Sequence, residues 1–296
     1  MPDLPADVVE YLRDVFAACN RRTTNKLAMN PNAPEESLDL SWIEHLSRYS
    51  SAVTLESAWS VKVETHYLGG MRHFRRWEIA DIGVLVHLRL GSHDRTSKVA
   101  LLQSKRLYPD GAPIREETLV DYEIGFARLA DPEDAAISIG FATEFNFTEA
   151  SAYAQVRHES PQVAAIEKYE KERELRVYYQ LYNPPTIPYV QRVPLTGYVE
   201  AEGEPELGVR IVPARVLHAL LCEDSSPKLV ELEQLESLPA RGWRLEDFIC
   251  DELIGCREGD RFGSIREDRI EALFNRRSGA IAAAIAITIE APKAVP

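Results

Sequence analysis

Two neighbouring segments, Glu78 to Leu90 (EIADIGVLVHLRL) and Lys98 to Leu107 (KVALLQSKRL), restrict what this chain can fold into more than any other feature. Each is an almost unbroken apolar run of strand length, and a strand that lacks polar alternation is one covered on both faces. An interior sheet is therefore expected, and the helical patterns around it make α/β the expected class. Before these segments, Trp59 to Leu68 alternates apolar and polar residues with a period of two, which reads as a half-buried strand. Helical spacing marks Val8 to Cys19, then Ser37 to Ser50 with Leu40, Ile43 and Leu46 on the buried side and Ser37 as cap. A helix over Glu116 to Leu129 follows the strands. A charged helix through Ile166 to Leu175 and a strand at Arg176 to Tyr182 come next, stopped by Asn183-Pro184-Pro185.

Beyond that point the chain reads as a prolyl and glycyl surface excursion to Glu206, a short helix after Pro213, helices at Trp243 to Cys256 and Ser264 to Phe274, and a strand at Ile281 to Ile289. The expected division is an N-terminal helix and linker (1–36), a core (37–183) and an α/β C-terminal region (184–296).

Charge and cysteine usage narrow the partners. The formal net charge of −13 is unlike that of a free-standing DNA binder, so affinity for phosphates must come from local clusters or from another protein. Such clusters occur at Arg72 to Arg76, Lys105-Arg106 and Arg276-Arg277. Four scattered cysteines lack zinc-site spacing and read as reduced thiols. No signal-like leader opens the sequence, and its longest apolar run, from Ala280, is about half the length a membrane-spanning helix needs. A cytoplasmic protein without a membrane partner is expected.

The chemistry concentrates where the two apolar strands turn polar. Asp81 interrupts the first, and a carboxylate in such a place needs a cation or hydrogen-bond donors. Gln103 and Lys105 close the second, and because alternate residues share a strand face both are delivered to one edge. An acid beside an amide and a lysine can hold a divalent cation through hard oxygens while the ammonium orients water or stabilises a developing phosphorane.

With the order helix, three strands, helix, strand, this constellation resembles the PD-(D/E)xK nuclease superfamily, and Gln103-Ser104-Lys105-Arg106 is similar to the Gln-x-Lys variant of Mrr-type restriction endonucleases. The resemblance covers roughly residues 38 to 130, or to 183 at its widest, and implies a restriction-endonuclease-like αβββαβ core (37–183) extended by the C-terminal region. It implies an Mg2+- or Mn2+-dependent DNA endonuclease, with metal held by Asp81, Gln103, the Ser104 carbonyl and an acid of the first helix, for which Glu44 is the expected residue. Glu64 is its rival, on the polar side of the preceding strand with Lys62 and His66. Arg72, Arg75, Arg76 and Arg106 are the expected DNA contacts. Glu78, His66 and His73 read as bystanders, and Tyr178 and Tyr179 as sheet core. Family context suggests anti-phage or foreign-DNA defence beside an ATPase or sensor subunit, or as a homo-oligomer. The competing expectation is an inactive nuclease-fold scaffold, which the neutral Gln103 and the acidic surface both allow.

Overall fold

The structure is a computed structural model, described for residues 4–67, 79–91, 95–110, 143–157, 160–193, 203–221, 229–255, 257–262, 273–274 and 281–292. It is a mixed α/β fold built on a large mixed sheet. The helices are α1 (Ala6–Met29), α2 (Glu35–Leu46), α3 (Pro161–Arg173), α4 (Ala214–Leu221) and α5 (Leu245–Asp247), the last continued as a π-helix over Phe248–Ile254. The sheet runs β1 (Val53–Thr54), β2 (Ser60–Tyr67), β13 (Ile281–Glu290), β3 (Ala80–Arg89), β4 (Arg95–Arg106), β7 (Val177–Tyr182), β9 (Arg210–Pro213), β11 (Trp243–Arg244). A further strand, β12 (Asp260–Phe262), lies against the first half of β4 while β7 pairs with its second half. Outside this sheet, β5 (Thr143–Phe147) pairs with β8 (Tyr189–Val193), and β6 (Ala152–Arg157) with β10 (Leu229–Glu231).

Both faces are covered, as the apolar runs require. Val84, Leu102 and Tyr178 pack with residues of α1, α2 and the α5 region on one side. Leu85, Leu101 and Tyr179 pack on the other with Val163 and Ile166 of α3 and Leu217 and Leu221 of α4. Tyr178 and Tyr179 are thus core residues, as expected. The described cysteines, Cys19 and Cys250, are buried free thiols.

Strand order departs from the expected succession of three neighbouring strands. β13 lies between β2 and β3, antiparallel to the first and parallel to the second. It buries Ile281, Ile285, Ile287 and Ile289. At roughly 1.5–3 kcal/mol for each fully buried isoleucine, an interior slot is strongly preferred over an edge. Strands from the 184–296 segment therefore share one sheet with those of 37–183. A specific restriction-endonuclease-like core is not established by this order.

Other boundaries shift for identifiable reasons. α1 continues ten residues past Cys19, through the Asn, Arg and Thr stretch expected as linker, because Asn20, Thr23, Thr24 and Asn25 are used inside while Arg22 faces solvent. Asn20, for example, accepts from the Val209 N–H (2.8 Å) and donates to Glu246 (3.0 Å). α2 starts at Glu35 behind Pro34 rather than at Ser37. Its buried stripe is Leu38, Trp42 and Leu46, whereas Leu40 is 45% exposed, so the helix is rotated from the expected phase. The expected helix at 116–129 lies outside the described residues, as does most of that at 264–274.

Close packing next to Asp81 yields one stability test. A Cβ on Gly83 would stand 2.8 Å from Phe274 Cε1 and 2.9 Å from Ile281 Cδ1. Gly83→Ala is expected to lower the urea midpoint by the equivalent of about 1–3 kcal/mol with an unchanged m-value, the mark of overpacking. An unchanged midpoint would show that Phe274 yields freely.

Candidate active site at the fork of β3 and β4

β3 and β4 pair in register from Ile82 opposite Leu102 to Arg89 opposite Arg95. Beyond Ile82 the ladder gives way to side-chain bonding. The Asp81 carboxylate accepts the Ser104 backbone N–H (2.8 Å) through Oδ2, and the Gln103 side-chain amide donates to the same oxygen. Asp81, Gln103 and Lys105 are thus brought together at one end of the sheet, as the strand pattern predicts.

α2 completes the cluster. Glu35 and Asp39, four residues apart, occupy one helix stripe. Asp39 accepts from the Ser104 hydroxyl (2.5 Å) and from the Tyr182 hydroxyl on β7, which in turn receives the Gln180 side-chain amide. Glu35 Oε2 lies 3.0 Å from Lys105 Nζ, and its Oε1 accepts the Arg106 backbone N–H (3.1 Å). Gln103 and Lys105 are each 2% exposed, whereas Asp39 and Asp81 are only half-buried.

Crowding of carboxylates sets the electrostatics. Burial pushes Asp81 well above the ordinary carboxylate value, and the charge of Asp39 adds to it, against the opposing pull of Lys105. Burial likewise raises Asp39 to about 7, its hydrogen bonds to Ser104 and Tyr182 notwithstanding. For Lys105, burial works against the charged form, but Glu35 and Asp81 outweigh it and the pKa rises. Tyr182 is raised by burial and by Asp39, so it stays a phenol that donates.

The donor chemistry suits a small divalent cation. Asp39 and Asp81 offer hard oxygens that ionise with difficulty unless positive charge arrives, and Gln103 Oε1 is buried without a hydrogen-bond partner among the described residues. Half a turn of the Gln103 amide would place that oxygen beside Asp81 Oδ2 in place of the nitrogen. Among the described residues no three His, Cys, Asp or Glu side chains already form a metal cage. Two carboxylates with an amide oxygen and a backbone carbonyl are then the set that could hold one.

Several expectations need correcting. Glu44 is exposed, and at five residues from Asp39 it points roughly 140° away around α2. Glu35 and Asp39 are the acids this helix supplies. Glu64 is excluded by the insertion of β13, being level with Leu85 through Ala286. That places it two strands, about 10 Å, across the sheet and about 13 Å along it from Asp81. It pairs instead with Lys62 at 2.6 Å. Arg106 is not placed as a DNA contact: strand alternation turns it under the α1–α2 connection, where it is 2% exposed. Its guanidinium donates to the Pro31 carbonyl (2.8 Å) and lies 4.1 Å over the Tyr108 ring. His66 is exposed on β2. Arg72, Arg75, Arg76, His73 and Glu78 lie outside the described residues.

Asp39, Glu35 and Tyr182 are not singled out by the sequence pattern. The signal for the first two was their spacing of four behind Pro34, and for the third the polar alternation of Gln180 and Tyr182 at the end of an apolar strand. Comparison with protein-family models, with curated proteins and with solved structures gives no match. Among the described residues no helix is long and apolar enough to cross a membrane.

Proposed function

We propose that the chain is a metal-dependent phosphodiester hydrolase acting on DNA. The observation that carries this reading is the convergence of Asp81, Gln103 and Lys105 at the fork of β3 and β4, with Asp39 joined to them through Ser104. Asp81, Asp39, Gln103 Oε1 and the Ser104 carbonyl would hold Mg2+ or Mn2+. Such a cation, when bound, lowers the pKa of an attacking water and shields the phosphate. Lys105 orients that water and stabilises the charge that develops on the phosphoryl oxygens. Ser104 and Tyr182 keep Asp39 turned toward the fork. Their hydroxyl donors favour its ionised form.

The acidic composition supports assistance from a partner in holding DNA; the nuclease resemblance makes that partner an ATPase or sensor subunit or a second copy, in a cytoplasmic defence against foreign DNA. A non-catalytic scaffold is the second reading, favoured by the burial of Lys105 in its pair with Glu35. Incubation with supercoiled, linear and single-stranded DNA tests the first. Cleavage is expected with Mg2+ or Mn2+, to stop with chelator, and to fall by at least about 10²–10³-fold in Asp81→Ala. Undiminished cleavage by that variant would refute the assignment. Absence of Asp81-dependent cation binding by calorimetry would favour the scaffold.

A further inference from the structure

Glu35 engages two donors with its two oxygens, the Lys105 ammonium at 3.0 Å and the Arg106 backbone N–H at 3.1 Å. An ammonium and an amide presented side by side form a fork that fits two oxygens of any tetrahedral or planar oxyanion. We infer that this fork is a phosphate-oxygen site, and that Glu35 is an internal carboxylate that competes with the substrate phosphodiester for it. The inference rests on the hydrolase reading and adds to it a second phosphate donor and a built-in competitor.

The setting supports an exchangeable occupant. Glu35 is the first residue of α2, directly after Pro34, at the end of the short connection from α1. A hydrogen bond from Arg106 to the Pro31 carbonyl (2.8 Å) ties that connection to the end of β4, and one from Lys26 to the Ser37 carbonyl (2.6 Å) ties α1 to α2 across it. Glu35 itself keeps some solvent contact at 16% exposure, against 2% for Lys105, so the carboxylate can leave where the ammonium cannot. While it stays, Lys105 is shut off from any phosphate.

Two readouts on the full chain test this without relying on cleavage. One is the rate of Lys105 acetylation by an amine-reactive acetyl ester, followed by peptide mass spectrometry. The other is the affinity for a 20-base-pair duplex in Ca2+, followed by fluorescence anisotropy. In Glu35→Gln both are expected to rise about tenfold, the equivalent of one charge-assisted hydrogen bond, and the duplex should shield Lys105 from acetylation. Glu35→Asp, too short to reach both donors, should move both the same way by less, and serves if the Gln variant does not fold. Unchanged acetylation together with unchanged or weaker duplex binding would overturn the competitor role. Faster acetylation and tighter binding with no cleavage by any form would keep the fork and remove the hydrolase reading; cleavage by wild type indifferent to Glu35 would do the reverse.

Discussion

Lys105→Met is expected to lose DNA cleavage by about 10²–10³-fold and also to lose stability at neutral pH, on the order of 3 kcal/mol. Under the hydrolase reading, the loss of activity follows from removing the cation proposed to face the developing phosphoryl charge. Stability falls for a separate reason. Lys105 is the buried ammonium beside Glu35, and its pKa is also raised by Asp81 and Asp39; removing it leaves three crowded carboxylates without the cation that offsets their repulsion. The sign follows from linkage: a lysine whose pKa is raised by folding contributes its stability throughout the range below its unfolded value, and loses it only as pH rises through the folded one. Urea unfolding at pH 7 measures the effect. The double variant Glu35→Gln, Lys105→Met should recover most of the stability and none of the activity, since the two residues share one interaction. A single Lys105 variant as stable as wild type would show that the pair contributes nothing net.

Asp81→Asn is expected to act in the opposite direction on stability. Burial and Asp39 raise the Asp81 pKa above 3.8, and Asp39 rises to about 7. Between those values the unfolded chain gives up protons that the folded chain retains, so stability falls as pH climbs from about 4 to 7. An asparagine keeps an acceptor for the Ser104 N–H and removes the charge. At pH 7 the variant should gain about 1–3 kcal/mol, or roughly 2–6 °C in Tm, discounted for the solvent that reaches the half-buried carboxylate. Its stability should also vary less with pH between 4 and 7. Mg2+ or Mn2+ should raise the Tm of wild type and leave that of the variant in place. Thermal unfolding followed by circular dichroism at pH 4, 5.5 and 7 reads all three. A variant less stable than wild type at pH 7, with no cation response in either protein, would contradict the charge account.

Asp81 and Lys105 are legible in the amino-acid sequence alone because strand geometry is local. An acid inside one apolar strand and a polar pair at the end of the next fall on neighbouring positions when the strands pair in the register found here, Ile82 opposite Leu102. Helix phase is less secure. The twelve residues of α2 carry two overlapping apolar stripes, Leu40-Ile43-Leu46 and Leu38-Trp42-Leu46, and the core takes the one containing the tryptophan. That choice turns Glu44 outward and brings Glu35 and Asp39 to the fork. Alternation along β4 already assigns Arg106 to the face opposite Lys105; what the α1–α2 connection does on that face is tertiary and leaves no mark in the sequence. The slot taken by β13 is likewise set by long-range pairing. Glu64 would be a credible ligand if β2 bordered β3 directly.

The position of β13 also sets an order in time. Its partners on β2 and β3 are made about 200 residues earlier, so the native sheet around β3, with Asp81 at its end, cannot be completed until residues 281–290 emerge from the ribosome. If the proposed hydrolase reading holds, a fork whose supporting sheet is completed only then would stay incompetent throughout synthesis, a delay timer written into topology.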